Sequence, residues 1–293
     1  MRLTRRALLA SGAAALALPV RAQAWDRGLL WRVGAGDAPA SHLYGTLHLD
    51  DEAAKAFAPA RAERTVGARL FRPELRSDPV SGRTFAAATR LPPGPGLRAL
   101  IGDALFERIA LLLATQYRLP PQAADRLKPW AAFLQLSQPA RAPVETVDAA
   151  LEALARGYGK PVEPLESVEE QIAAVESIPR ASQLELLAAQ AERHAEAMAA
   201  LDELKRLYLA EDLAGLARHQ QALADAAGAA VRRAIDDLME HLLFRRNERI
   251  AAALESDLKR GGVFVAIGAL HLHGERGLPA LLARSGYRVQ APG

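Results

Sequence analysis

One five-residue run constrains the fold more than any other part of this 293-residue sequence. Val263-Phe264-Val265-Ala266-Ile267 is continuously apolar and rich in β-branched residues, and Gly268 ends it. Such a run fits a strand buried on both faces, which needs neighbours in a sheet covered on each side. Those neighbours have to come from far away. From about Gly94 to Lys259 the chain reads as helix, with Leu105, Ile109, Leu112 and Leu113 at helical spacing, and Leu201, Leu204, Tyr208 and Leu209 again. Leu29–Val33 and His42–Tyr44, joined by a polar turn, read as strands, and Val66–Phe71 and Tyr287–Val289 as two more. The expected fold is therefore α/β: a mixed sheet core built from both chain ends, with a large helical insertion over about 95–259. Arg180–Lys259 lacks proline and is expected to form two or three long helices broken near Asp212 and Gly228, with Gly261-Gly262 closing the last. Asp50 and Asp51 fit caps of a helix from Glu52 to about Arg64 better than ligands.

The first 24 residues have a different character. A basic start with Arg2, Arg5 and Arg6 precedes an apolar run from Ala7 to Val20, and Ala22-Gln23-Ala24 offers small residues for cleavage. This is the three-part pattern of a secretory signal peptide over residues 1–24. Thr4-Arg5-Arg6-Ala7-Leu8-Leu9 also fits a twin-arginine signal, and the sequence does not choose between the two routes. The alternative is an uncleaved anchor, against which the run is shorter than the roughly 20 residues a spanning helix needs. The expectation is a periplasmic or secreted protein of residues 25–293, with no membrane span in the mature chain. Its basic balance is largely that of the leader. Four of the 37 basic residues lie there, leaving 33 against 34 acidic ones, so nucleic acid is not an expected partner. With no cysteine, thiolate catalysis, a zinc knuckle and an iron–sulfur cluster are excluded.

The chemistry-bearing pattern occurs twice. Gly45-Thr46-Leu47-His48 follows one expected strand and Gly268-Ala269-Leu270-His271 another, and each continues with leucine. Glycine permits a sharp turn or close backbone approach, and the carboxyl edge of an α/β sheet is where ligands bind. Gly45 and Gly268 are therefore candidates for lining a cofactor or ligand. His48 and His271 could ligate a metal, orient water or move a proton. Either histidine alone equally fits a hydrogen-bonded strand end; the matched contexts favour a shared site. His273 would join His271 only if the chain stayed extended there, and Gly274 suggests a turn.

These two motifs resemble those of the TraB/GumN family, to which the TIKI-type proteases are related. Further segments agree in order: Leu127-Lys128-Pro129-Trp130, Val147-Asp148, Gly159-Lys160-Pro161-Val162, Leu165–Gln171, Tyr208–Leu213 with Glu211 in place of glycine, Arg246-Asn247, and Val265–Gly274 with Gly286–Val289. The resemblance spans roughly Trp25 to Val289. It implies an α/β core with a helical insertion and a metal-dependent hydrolase or peptidase site; TIKI-type relatives use manganese or cobalt. One position departs. Where the family has a carboxylate at a strand end, this chain has Pro73, and Glu74 lies one place beyond. A one-residue shift turns a strand side chain to the other face unless Pro73 bends the chain back.

For a hydrolase, His48, His271, Glu166 and Glu74 are the expected metal ligands, with His48, His271, Glu166 and Arg246 as the catalytic set. Two histidines and a carboxylate suit zinc, manganese, cobalt or iron, and a bound ion would activate water towards a carbonyl. Glu166 also fits an acid stabilised by a helix N-terminus. Arg246 fits a partner for a pocket carboxylate, an oxyanion stabiliser, or a solvated arginine in the run Arg245–Arg249. His194, His219 and His241 sit in charge-rich helical sequence and are expected to be exposed, and Trp130 to be core. The leading expectation is a metal-dependent hydrolase acting on a peptide or small molecule. The alternatives are a non-catalytic periplasmic protein binding a metal, haem-like or small organic ligand in the same pocket, or a helical interaction module docking through Arg180–Lys259.

Overall fold

A computed structural model describes residues 25–47, 64–140 and 146–291. The expected leader, His48, Asp50, Asp51 and nearly all of the helix expected to follow them lie outside the described residues.

Five strands form one mixed sheet: β1 (Leu30–Gly34), β2 (Ser41–Thr46), β3 (Leu70–Pro73), β4 (Val263–Gly268) and β5 (Arg288–Gln290), in the order β3-β4-β2-β1-β5. The apolar C-terminal run is the middle of a parallel unit, with β3 on one side and β2 on the other. Its residues from Val263 to Ile267 are all buried, as an unbroken apolar strand requires. β1 pairs antiparallel with β2, and β5 antiparallel with β1. β3 begins at Leu70, not Val66, because residues 64–66 belong to a helical turn and pairing with β4 starts only where Arg69 N donates to Gly262 O at 2.6 Å. The other strand expectations hold to within a residue or two.

Phe71 stacks on Phe264 at 5.9 Å between ring centroids, and Tyr44 lies against Phe264 at 6.3 Å. These rings from β2, β3 and β4 tie both chain ends into one core. A second core of Leu97, Phe106, Ile109, Leu113, Leu136 and Leu187 lies among the helices. The span from β3 to β4 is helical apart from its connections, and it begins with Pro79–Ala88, a helix the sequence had not suggested. The long helical stretch breaks at Asp212 and Gly228 as expected. It also breaks at Arg193 and changes pitch through a π-helical turn, Glu240–Phe244.

Glu211 has φ +54°. This left-handed conformation costs a side-chain-bearing residue roughly 1–2 kcal/mol. The side chain offsets that cost by accepting the Leu29 backbone N–H at 2.9 Å, while the Glu211 carbonyl accepts Gly28 N–H at 3.0 Å.

Candidate functional site

Three parallel strands end at one edge, and charged side chains from four segments converge there. β3 finishes at Pro73, and the chain from Pro161 to Glu166 runs alongside it. Phe71 N donates to Pro161 O, Glu163 N to Phe71 O, Leu165 N to Pro73 O and Glu166 N to Glu74 O. Pro73 can accept in this ladder but cannot donate. This pairing sets Glu74 and Glu166 side by side just beyond the strand. At that point alternation no longer dictates which face a side chain takes, so the displaced Glu74 still reaches the cluster. Its Oε2 accepts Gly268 N–H at 3.1 Å, and its Oε1 lies 2.5 Å from Arg246 Nη2. Glu166 is held in place by the next residue. Ser167 caps the helix Val168–Glu176 through a reciprocal capping box with Glu170. The Glu166 carboxylate pairs with arginines rather than with that helix end.

Arg246 is buried, with 4% of its surface exposed, despite its charged neighbours. The π turn ends at Phe244 and is followed by the helix Arg245–Ala253, on which Arg246, Asn247 and Ile250 face inward while Arg245, Glu248 and Arg249 face out. π turns recur at functional sites, and no spacing rule reveals them in sequence. Arginine has five N–H groups. Here Nε donates to Glu166 Oε2 at 2.7 Å, and Nη2 faces both Glu166 Oε2 at 2.6 Å and Glu74 Oε1. Nη1 donates to Leu242 O at 2.8 Å and lies 3.4 Å from His271 Nε2. Burial works against the guanidinium's charge, but the two glutamates outweigh it and hold its pKa above the usual value. Of the readings open for Arg246, the carboxylate partner is the one its geometry has, and these contacts engage all of its donors. Arg249, half-exposed, takes the other Glu166 oxygen at 2.6 Å.

His271 is buried in the short 3-10 turn Ala269–Leu272. Asn247, fully buried, fixes the ring. Its Nδ2 donates to Arg276 O at 2.8 Å and lies 3.4 Å from His271 O, so its Oδ1 faces His271 Nδ1 at 2.6 Å and accepts. The proton therefore sits on Nδ1, and Nε2 is the acceptor nitrogen, turned towards Arg246 Nη1. His273 does not join this cluster, because a 3-10 turn, unlike a strand, sends positions 271 and 273 different ways; its Nδ1 lies 3.9 Å from Asp26 Oδ1.

The first motif meets the second directly. A Cβ at Gly45 would lie 2.9 Å from Leu272 Cδ1 and 3.0 Å from Ala269 Cα, so this glycine lets the 3-10 turn pack on β2. Tyr208 donates to Gly45 O at 2.9 Å. Thr46, opposite Gly268 in the sheet, donates to Asp148 Oδ1 at 2.7 Å. The sequence pointed to His271, Glu74, Glu166 and Arg246, and these four stand together. It gave no role to Asn247, Arg249, Thr46 or Asp148. Thr46, Asp148 and Asn247 lie in segments that carry the family resemblance, and Arg249 shares one helix with Arg246 at a spacing of three.

The other histidines correct an expectation. His194 is buried, its Nε2 2.8 Å from Gln116 Oε1 and its ring edge-on to Tyr117. The break at Arg193 turns it inward, and burial lowers its pKa. His219 and His241 are half-buried: His219 Nε2 lies 3.2 Å from Ala200 O, and His241 Nδ1 2.5 Å from Ser177 Oγ. Trp130 is core. Among the described residues, no group of three or more histidine, aspartate and glutamate side chains is arranged to hold a metal ion, and no helix is long and apolar enough to cross a membrane.

A parallel β unit flanked by helices, with a buried polar cluster at its carboxyl edge, defines an α/β protein whose site sits where open sheets bind ligands. The sequence model of the TraB/PrgY/gumN family matches residues 29–291, and the chain belongs to that family. No curated protein and no solved structure matches it.

Proposed function

We propose that this chain is an exported, metal-dependent hydrolase acting on amide bonds of a peptide or a related small molecule. The observation that carries the reading is the His271 ring, whose Nδ1–H is fixed by Asn247 so that Nε2 faces Arg246, the arginine that pairs with both glutamates. Metal-ligating histidines commonly donate their other ring N–H in this way. The donor types suit such an ion, an imidazole nitrogen and two buried carboxylates, but the carboxylates converge on Arg246 and, among the described residues, the three are not arranged as a metal site. In this reading His271, Glu74 and Glu166, with His48 from the first motif, would hold manganese, cobalt, zinc or iron. Such an ion lowers the pKa of bound water and polarises a carbonyl. The chain's own residues set the stage. Asn247 selects the tautomer, Glu74 and Glu166 supply negative charge, and the Ala269–Leu272 turn places the ring. Export is supported by the arginine-rich start, the apolar run and Ala22-Gln23-Ala24; N-terminal sequencing of the mature protein should begin at Trp25. The activity is tested with a peptide library and added divalent ions, comparing wild type with His48→Ala and His271→Ala. Loss of turnover in both variants is expected, and equal rates in all three would remove the reading.

A second reading has its own support. Arg246 spends all its donors inside the cluster, and two arginines balance two glutamates, as suits a pocket that binds without turnover. It predicts that a metal, haem or small organic ligand raises the melting temperature with no hydrolysis.

A further inference from the structure

We infer that Arg32, His42 and Arg64 form a second binding site, which takes a phosphate dianion, free or on a lipid headgroup. His42 is the second residue of β2, and Thr46 ends that strand. At about 3.3 Å per residue the two ends lie about 13 Å apart, so this site is separate from the cluster at the carboxyl edge. Arg32 stands opposite His42 in the antiparallel pair, and opposed residues share one face of a sheet with Cβ atoms about 4.5–5.5 Å apart. Arg64, in the helical turn before β3, brings Nη1 to 3.1 Å from His42 Nε2. Arg288, opposite Gly34 in β5, lies on the same face as Arg32. The three arginines are exposed and His42 is half-buried. No carboxylate among the described residues pairs with any of these arginines. By contrast, Arg69, Arg72 and Arg260 all face Asp257.

The imidazole registers this excess of positive charge. Burial, then Arg64 and Arg32, lower its pKa to about 4, so the ring is neutral and its Nε2 accepts from Arg64. Two guanidinium groups thus share a face without a counter-charge, and an anion relieves their repulsion. The donors suit phosphate. Each guanidinium fork can grip two of its oxygens, and a phosphate monoester carries about −1.5 to −2 at neutral pH, which balances two arginines where a carboxylate balances one. The charged groups facing His42 are Arg32 from β1 and Arg64, and its neighbour on β4 is Phe264. A bound dianion between these arginines therefore raises the His42 pKa, and affinity rises as the pH falls.

Titration of the purified protein with inorganic phosphate at constant ionic strength tests this, with the His42 imidazole followed by NMR. Saturable binding that moves the His42 pKa upward is expected. Arg32→Gln and Arg64→Gln should each weaken it about fivefold, as loss of one exposed ion pair does. Arg233→Gln, which removes an exposed arginine in the helix Ala229–Met239, should leave it unchanged. All three are surface changes, so folding is not at issue. Sedimentation with phosphatidylcholine vesicles, with and without phosphatidic acid, distinguishes the sources. Protein that sediments only with phosphatidic acid, and is released by Arg32→Gln, assigns a headgroup; phosphate binding without sedimentation assigns the free anion. Phosphate binding that does not saturate, leaves the His42 pKa in place, or weakens equally in Arg233→Gln would overturn the inference.

Discussion

Asn247 decides what His271 can do, although it carries no charge. Its side chain bonds two carbonyls and the imidazole at once, all in a buried place. Asn247→Ala strands these partners and is expected to cost about 1–3 kcal/mol of stability, measured by urea unfolding. The same change frees the tautomer and should lower metal affinity or turnover about 10–100-fold, as loss of an outer-shell partner does. A variant as stable and active as wild type would show that Asn247 does not orient the ring. A second residue-scale prediction concerns His42, which faces Arg32 across the sheet and accepts from Arg64 Nη1 at 3.1 Å. Burial first, then Arg64 and Arg32, lower its pKa from 6.5 to about 4. The unfolded chain takes up a proton near pH 6.5 that the folded chain refuses until about 4. His42 thus costs nothing at neutral pH, and stability falls as the pH drops through that window. In His42→Gln the acid limb of a plot of unfolding free energy against pH should be shallower between those values; an unchanged slope would contradict this.

At the scale of elements, two glycines make opposite predictions. Gly45→Ala pushes a methyl group into Leu272 and the Ala269 backbone, and overpacking of this kind costs about 1–3 kcal/mol. Gly82 lies inside the helix Pro79–Ala88, and a methyl group there would meet nothing within 4 Å. Gly82→Ala should therefore stabilise by about 0.5–1 kcal/mol. Thermal unfolding of the two variants checks both signs; a stable Gly45→Ala would mean that the two motifs do not rely on close packing. Strands were legible because β4 is continuously apolar and both expected Gly-x-x-His segments follow strands. The π turn was not legible, since a widened turn leaves the residue types unchanged while rotating everything after it. That rotation is why Arg246 and Asn247 point inward from a run that reads as solvated, and the break at Arg193 hid His194 in the same way.

For the whole molecule, the consequence of joining both chain ends in one sheet is that the two motifs become neighbours: Gly45 stands beside Ile267, and Thr46 beside Gly268, in a parallel register. The sequence called for a sheet built from both chain ends, because a strand buried on both faces needs neighbours, but left open whether these two strands are adjacent. The arginine–glutamate cluster did not follow, because it depends on a side-by-side run of Glu74 and Glu166 that Pro73 conceals. The central claim is that the two histidine motifs serve one divalent-metal site. The most direct test is calorimetric titration of manganese into wild type, His48→Ala and His271→Ala, each checked for folding by circular dichroism. One ion bound by wild type, with affinity lost at least tenfold in each variant, is the predicted result. Wild-type affinity retained in both folded variants would contradict it.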